Sequence, residues 1–141
     1  MNPVNNLDAQ AWTYIQETGE LQQDGKPVAN GYSGSGPGKN NPDLQIVHNV
    51  GPIPQGDWTI SGPPISTAEH GPYVLRLNPA PETDTFGRSG FLIHGDSKMA
   101  PGTASQGCVI LPRSVREEVW QSGDRDLTVV GRTPEEPTET E

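Results

Sequence analysis

Basic residues are scarce in this chain. Nine lysines and arginines stand against 18 aspartates and glutamates, so the formal net charge is −9 and the pI is about 4.6. That balance argues against a nucleic-acid groove or an anionic membrane surface as partner. Cysteine is almost missing: Cys108 stands alone, so no intrachain disulfide can form. Hydrophobic residues make up only 30%, and no apolar run approaches the ~20 residues of a membrane span. The N-terminus, MNPVNNLDAQAW, has no basic region and no apolar core, so it does not read as a secretory signal peptide. A phosphate-binding loop is missing too. Residues 31–41, GYSGSGPGKNN, are glycine-rich, but Ser33 sits five before Gly38 and Asn40 follows Lys39, against the Walker A pattern. Gly34-x-Gly36 is followed by Lys39, which breaks the dinucleotide pattern. His48, His70 and His94 are irregularly spaced, with no short ligand pair, so neither a metal site nor a cofactor is expected. No internal repeat is visible.

What is abundant is turn chemistry. Gly 17 and Pro 15 favour short strands and many turns over long helices. The 141 residues suffice for one domain with a modest core. Trp12 to Gln16 alternates large residues, Glu20 to Gln23 returns and Asp24-Gly25 signals another turn, which reads as a hairpin or meander. Strands are expected at 45–50, from Asp57, at 73–77 and at 127–130. Ser114 with Glu117 three residues on is a capping-box pattern, Val115, Val119 and Trp120 give an apolar stripe, and Gly123 is placed to end the helix. The fold expected is mainly β: an antiparallel β-sandwich or barrel with one short helix. An N-terminal extension (1–11) precedes the domain (12–131), and a Pro- and Glu-rich tail (132–141) follows, expected to be disordered.

The chemistry concentrates in residues 91–111, FLIHGDSKMAPGTASQGCVIL. One apolar run ends on His94-Gly95; another begins at Cys108. If the two strands pair, the loop between them folds back and a thiol meets an imidazole, the minimal equipment for nucleophilic acyl transfer. Alone, Cys108 would read as a small buried hydrophobe and His94 as a satisfied core residue. Together, His94 becomes a base able to lower the thiol pKa. Gly107 lets the backbone turn, so that the amides of Gly107 and Cys108 can face an oxyanion. The Gly95 carbonyl, or a nearby side chain, is expected to orient the His94 ring. Asp96 reads as a solvated loop carboxylate or a groove residue, and His48 and His70 as loop or groove residues. The order, His before Cys, is the reverse of the papain-like arrangement.

His94-Gly95 followed by Ser105-x-Gly107-Cys108 resembles the signature of the YkuD-type L,D-transpeptidases, and residues 51–58, GPIPQGDW, resemble a second element of that family. Nearly the whole stretch from Trp12 to Val130 is similar to the small L,D-transpeptidase effectors delivered by type VI secretion. The residues behind this are Gly31-Tyr32-Ser33-Gly34, Gly87-Arg88-Ser89 and Ser122-Gly123-Asp124-Arg125, besides those named above. Gln106 stands where the wider YkuD family has His, which removes a second imidazole from that position. The resemblance implies a YkuD-like domain whose catalytic set is Cys108, His94, Gly95 and Gly107, with Tyr32, Ser105, Gln106, Asp96 and Arg113 around the substrate. It implies peptidoglycan stem peptides as substrate, the type VI machinery and a periplasmic immunity protein as partners, and a monomer made without a signal peptide that acts in the periplasm of target bacteria. Two alternatives stand beside it: a housekeeping periplasmic transpeptidase that cross-links the wall, and a non-catalytic wall-binding module with an inert Cys108.

Overall fold

The computed structural model describes residues 11–132, so the extension and the acidic tail fall, but for one residue each, outside the described residues. Strand β1 (Trp12–Ile15) buries Trp12, Tyr14 and Ile15. The chain reverses at Gly19 into β2 (Glu20–Gln23), then through Asp24 and Gly25, both at positive φ (55° and 74°), into β3 (Lys26–Asn30). Asp-Gly with both φ values positive is the two-residue turn whose twist suits a hairpin. After β4 (Tyr32–Ser33), two short 3-10 turns lead to the long pair β5 (Gly56–Thr67) and β6 (Gly71–Pro79). Then come β7 (Leu92–His94), β8 (Val109–Ile110), helix α1 (Arg113–Gln121) and β9 (Asp126–Val130).

All nine strands form one sheet in the order β3-β2-β1-β9-β5-β6-β7-β8-β4. Its two edge strands, β3 and β4, are joined by a single residue, Gly31. A flat sheet cannot satisfy that link, so the sheet curls until its edges approach. Gly31 sits at the closure: a Cβ there would lie 1.9 Å from the Ile110 carbonyl oxygen. The curled sheet encloses Trp12, Trp58, Ile60, Leu75, Leu77, Ile93, Val109, Leu127 and Val129. Each such aliphatic side chain contributes about 1.5–3 kcal/mol on burial. Among the described residues, Ile46, Val47 and Met99 are the large hydrophobics left exposed.

The expected β architecture with one helix is present, with three local differences. Residues 45–50 are turns, not a strand. The Val47 amide bonds the Leu44 carbonyl and the Gly51 amide bonds the Val47 carbonyl. With local carbonyls satisfying the backbone, Ile46 stays 58% exposed. Helix α1 uses no capping box: Pro112 holds the N-cap place, with no side-chain bond to the helix. Proline lacks the N–H that would need capping, and Glu117 instead accepts from Arg113 Nε at 2.8 Å, one turn back. Finally, β1 pairs β9, and β7 pairs β8, in parallel. Segment 95–108 is therefore a crossover rather than a fold-back. No helix among the described residues is long and apolar enough to cross a membrane.

Candidate active site

The parallel register of β7 and β8 aligns Ile93 with Val109 and His94 with Ile110. Cys108 precedes β8 by one residue, and side chains alternate faces along a strand, so Cys108 falls on the face shared by Ile110 and His94. Both residues line one cavity of about 1080 Å³, beside Gly95, Asp96, Gln106, Gly107 and Arg113. The turn between β5 and β6 adds Glu69 and His70, residues 88–91 form another wall, and Arg116 of α1 closes it.

His94 is 2% exposed. Its Nδ1 lies 2.8 Å from the Gly95 carbonyl oxygen. A carbonyl only accepts, so in the neutral ring Nδ1 carries the proton and Nε2 is the bare lone pair. Nε2 is buried and meets no hydrogen-bond partner among the described residues. Burial holds the imidazole below its usual pKa; the bond to Gly95 acts the other way, and the nearby His70 and Arg116 add to the lowering. The ring is neutral at neutral pH.

Cys108 is half-buried, and its thiol donates to the Gly90 carbonyl at 3.7 Å. Burial pushes the thiol up to about 11, although the Leu92 amide and the Arg88 charge favour the thiolate. This corrects the expectation that the imidazole lowers the thiol pKa: desolvation dominates, and the resting pair is neutral thiol and neutral imidazole.

The glycine before the thiol has a different role from the one expected. The Gly107 amide donates to Ser105 Oγ at 3.0 Å, so it is committed to a side chain rather than aimed at an oxyanion. Its φ is 133°, and a Cβ there would meet Arg88 Nη2 at 2.5 Å. Glycine is needed so that the buried guanidinium can lie against the backbone. Ser105 is fully buried. Its hydroxyl donates to the Cys108 carbonyl at 2.6 Å and accepts from the Gly34 amide at 2.9 Å, besides Gly107. Ser105 therefore shapes the loop and offers nothing to a substrate. Tyr32 likewise stands outside the cavity lining: its hydroxyl donates to Asp96 Oδ1 at 2.6 Å and accepts from the Ala104 amide at 2.9 Å. Partial burial, with the Asp96 carboxylate, pushes the Tyr32 phenol up to about 12. Burial alone would raise Asp96, yet the Tyr32 hydroxyl and the Gly102 and Ser97 amides hold its carboxyl below the usual range. Gln106 is exposed in the cavity. Arg113 also lines it, held by Glu117 and lying 4.8 Å from the Tyr73 ring.

Three residues outside the expected catalytic and substrate-binding set are central here. Arg88, 5% exposed, donates to the carbonyls of Gln45, Pro52, Gly51 and Gln106. Arg116, 4% exposed, donates to the carbonyls of Tyr73, Leu111 and Pro72. His70 stacks on His94, ring centroids 4.1 Å apart and tilted by 31°. The imidazole that Gln106 does not supply arrives instead from the β5–β6 turn. Arg88 carried a faint signal in Gly87-Arg88-Ser89, His70 was expected in a loop or groove and lies in a turn that lines the cavity, and Arg116 carried no signal beyond its type.

The Tlde1 domain matches residues 28–131 of the chain. The chain belongs to that family, the type VI secretion L,D-transpeptidase effectors. The Tlde1 match begins in β3, so the hairpin of β1 and β2 lies before it, although β1 pairs directly with β9 and supplies Trp12 and Tyr14 to the core. Comparison with curated proteins gives no match.

Proposed function

We propose that the domain is a cysteine acyl transferase acting on bacterial peptidoglycan stem peptides, as L,D-carboxypeptidase and L,D-transpeptidase. The observation that carries this is the shared cavity of Cys108 and His94, with His94 held at Nδ1 by Gly95 and its Nε2 buried and bare. Membership of an L,D-transpeptidase effector family supports the choice of substrate class.

The chemistry follows from the neutral resting pair. The thiol turns from the Gly90 carbonyl as substrate fills the cavity. Sγ attacks the carbonyl that joins the L-centre of the third stem residue to the D-Ala at position four, and the thiol proton passes to His94 Nε2 in the same step. Because the thiol is held up by burial, His94 acts as a general base and not as half of a standing ion pair. Arg88 stabilises negative charge on sulfur as it develops. The oxyanion is assigned to the Cys108 amide, Gly107 being engaged; one such donor is worth roughly 3–4 kcal/mol in other enzymes. The imidazolium returns its proton to the leaving D-Ala amine, leaving a thioester on Cys108. Water, a free D-amino acid or a second stem then resolves the thioester, giving trimming, exchange or cross-linking. As an effector, the enzyme acts in the periplasm of target cells, and the producer carries an immunity protein against it.

The test is mass spectrometry of purified muropeptides after incubation with the protein. Tetrapeptide stems are expected to become tripeptides, or to exchange D-Ala for an added D-amino acid, and Cys108→Ala to do neither. Unchanged stems with the wild type, or turnover by the mutant, would sink the reading. Thiol labelling at neutral pH does not separate an inert cysteine from this one, since burial slows both. In bacteria, a form fused to a periplasmic signal should be toxic, and Cys108→Ala should remove the toxicity.

A further inference from the structure

We propose that His70 is a positioning residue for His94: it stacks on the base from the β5–β6 turn, holds the ring against the cavity wall and, when charged, opposes a proton on it. The proposal rests on the reading of His94 as the base.

The geometry supports it from both sides of the stack. His94 is tied at one edge only, through Nδ1 to Gly95. One hydrogen bond fixes one edge of the ring and leaves its faces to be held by packing. His70 covers a face at a centroid distance of 4.1 Å, closer than the usual spacing of aromatic pairs. His70 is itself anchored. Its amide donates to Thr67 Oγ1 at 2.8 Å, and Thr67 pairs with Gly71 at the hairpin end. Its Nε2 lies 3.6 Å from Glu69 Oε1. The result is a rigid turn that delivers one imidazole onto another inside the same cavity.

Two rings so close are coupled in charge. A proton on His70 disfavours a proton on His94 by Coulomb repulsion. The other groups that face His94 are Arg116 from α1, Asp96 following β7 and Cys108 preceding β8, with Glu69 acting on His70. Arginine keeps its charge at all working pH values, and Asp96 is held as the carboxylate. Burial keeps Cys108 protonated through the neutral range. His70 and Arg116 both disfavour a proton on His94, whereas Asp96 favours it.

Two variants separate the two parts of the role. His70→Phe keeps a flat ring and removes the charge; His70→Ala removes both. The first readout is the NMR titration of the His94 ring, assigned by comparison with His94→Gln, which needs no substrate. The second is the pH profile of kcat/KM on tetrapeptide stems. In His70→Phe, His94 should accept its proton at higher pH than in the wild type, because a repelling charge is gone. The acid limb of kcat/KM should move up with it, and plateau kcat should fall less than in His70→Ala. In His70→Ala, plateau kcat should fall roughly tenfold with KM little changed, as expected for a misplaced base. A His70→Phe titration that overlays the wild type, or a His70→Ala plateau equal to the wild type, would overturn the proposal. A merely structural residue would lower Tm without moving the titration. If the wild type leaves stems untouched, the proposed function fails, and the titration still decides whether His70 sets the state of His94.

Discussion

Two buried arginines stand behind the two reactive side chains, and they are held differently. Arg116 rises from a helix and bonds carbonyls at the ends of regular elements: Pro72 and Tyr73 at the start of β6, and Leu111 just after β8. Arg88 lies in a loop and gathers carbonyls from three stretches of irregular chain: Gln45, Gly51 with Pro52, and Gln106. Neither bonds a carboxylate among the described residues. The base side of the site is framed by a sheet ladder, since β7 pairs β6 on one side and β8 on the other. On the thiol side the ladder is short, β8 pairing β4 only through Ile110 with Tyr32 and Val109 with Ser33, and a guanidinium gathers the loops beside it. Its planar fork of five N–H groups reaches several acceptors that a single strand could not. A chain of net charge −9 thus keeps two cations inside, each where it tilts one titration: Arg88 favours the thiolate, and Arg116 disfavours the imidazolium.

The comparison predicts unequal damage. Arg88→Met should be the most destabilising change at the site. Each carbonyl left buried without a donor costs about 1–3 kcal/mol, so a total loss of about 4 kcal/mol is expected even if water enters. Calorimetry should show Tm falling by roughly 10 °C or more. Arg88→Lys should rescue little, because an ammonium lacks the fork. A lysine variant that melts with the wild type would show that charge alone holds these loops. Arg116→Met should cost less, about 2–3 kcal/mol, because three acceptors at element ends lose their donor and the sheet ladder persists. It should also let His94 take its proton at higher pH, since a repelling charge is removed. Equal losses for Arg88→Met and Arg116→Met would break the comparison.

The glycines beside these arginines sharpen it. Gly107→Ala places a Cβ 2.5 Å from Arg88 Nη2 at a φ of 133°, so steric and backbone strain act together. Gly95→Ala meets Arg116 Nη1 at 2.9 Å without a positive φ. Stem turnover should fall by roughly a hundredfold for Gly107→Ala, as for a displaced catalytic group, and by clearly less for Gly95→Ala. The reverse order would mean that the ladder side, not the loop side, is the less forgiving.

The same division explains what could be read from sequence. β1 was legible because WTYI carries three large residues, all of them buried, and β6 because YVLRL alternates. His94 and Cys108 were legible because each sits at the end of an apolar run, and strands announce themselves by such runs. The loop chemistry was not. Ile46 and Val47 look like strand residues, yet local turn bonds leave them outside the core. The Asp24-Gly25 turn announces β3, but the two-residue edge strand β4 exists because the sheet curls, which no local pattern encodes. The Gly107 amide looked free because nothing in sequence shows that Ser105 Oγ turns back two residues to take it. Arg88 bonds residues 18 to 43 positions away, and His70 meets His94 across 24 positions; both are properties of the closed sheet and not of any motif.

The smallest expected effect is the most discriminating. Arg88 acts on the charge of Cys108, and Arg116 does not figure among the groups that shift it. Alkylation of Cys108 by a small neutral reagent should follow the thiolate, and so should rise with pH towards a midpoint of about 11. In Arg88→Gln the cation is lost while two donors remain for the carbonyls. The thiol should then ionise at still higher pH, because an attractive charge has gone, and alkylation at a fixed mildly alkaline pH should slow by a few-fold. In Arg116→Met the alkylation profile should overlay the wild type, even as the His94 titration moves. The two variants would then shift two different titrations, each leaving the other in place. An alkylation profile that moves in Arg116→Met, or stays put in Arg88→Gln, would show that the two cations act as one field rather than one on each reactive group.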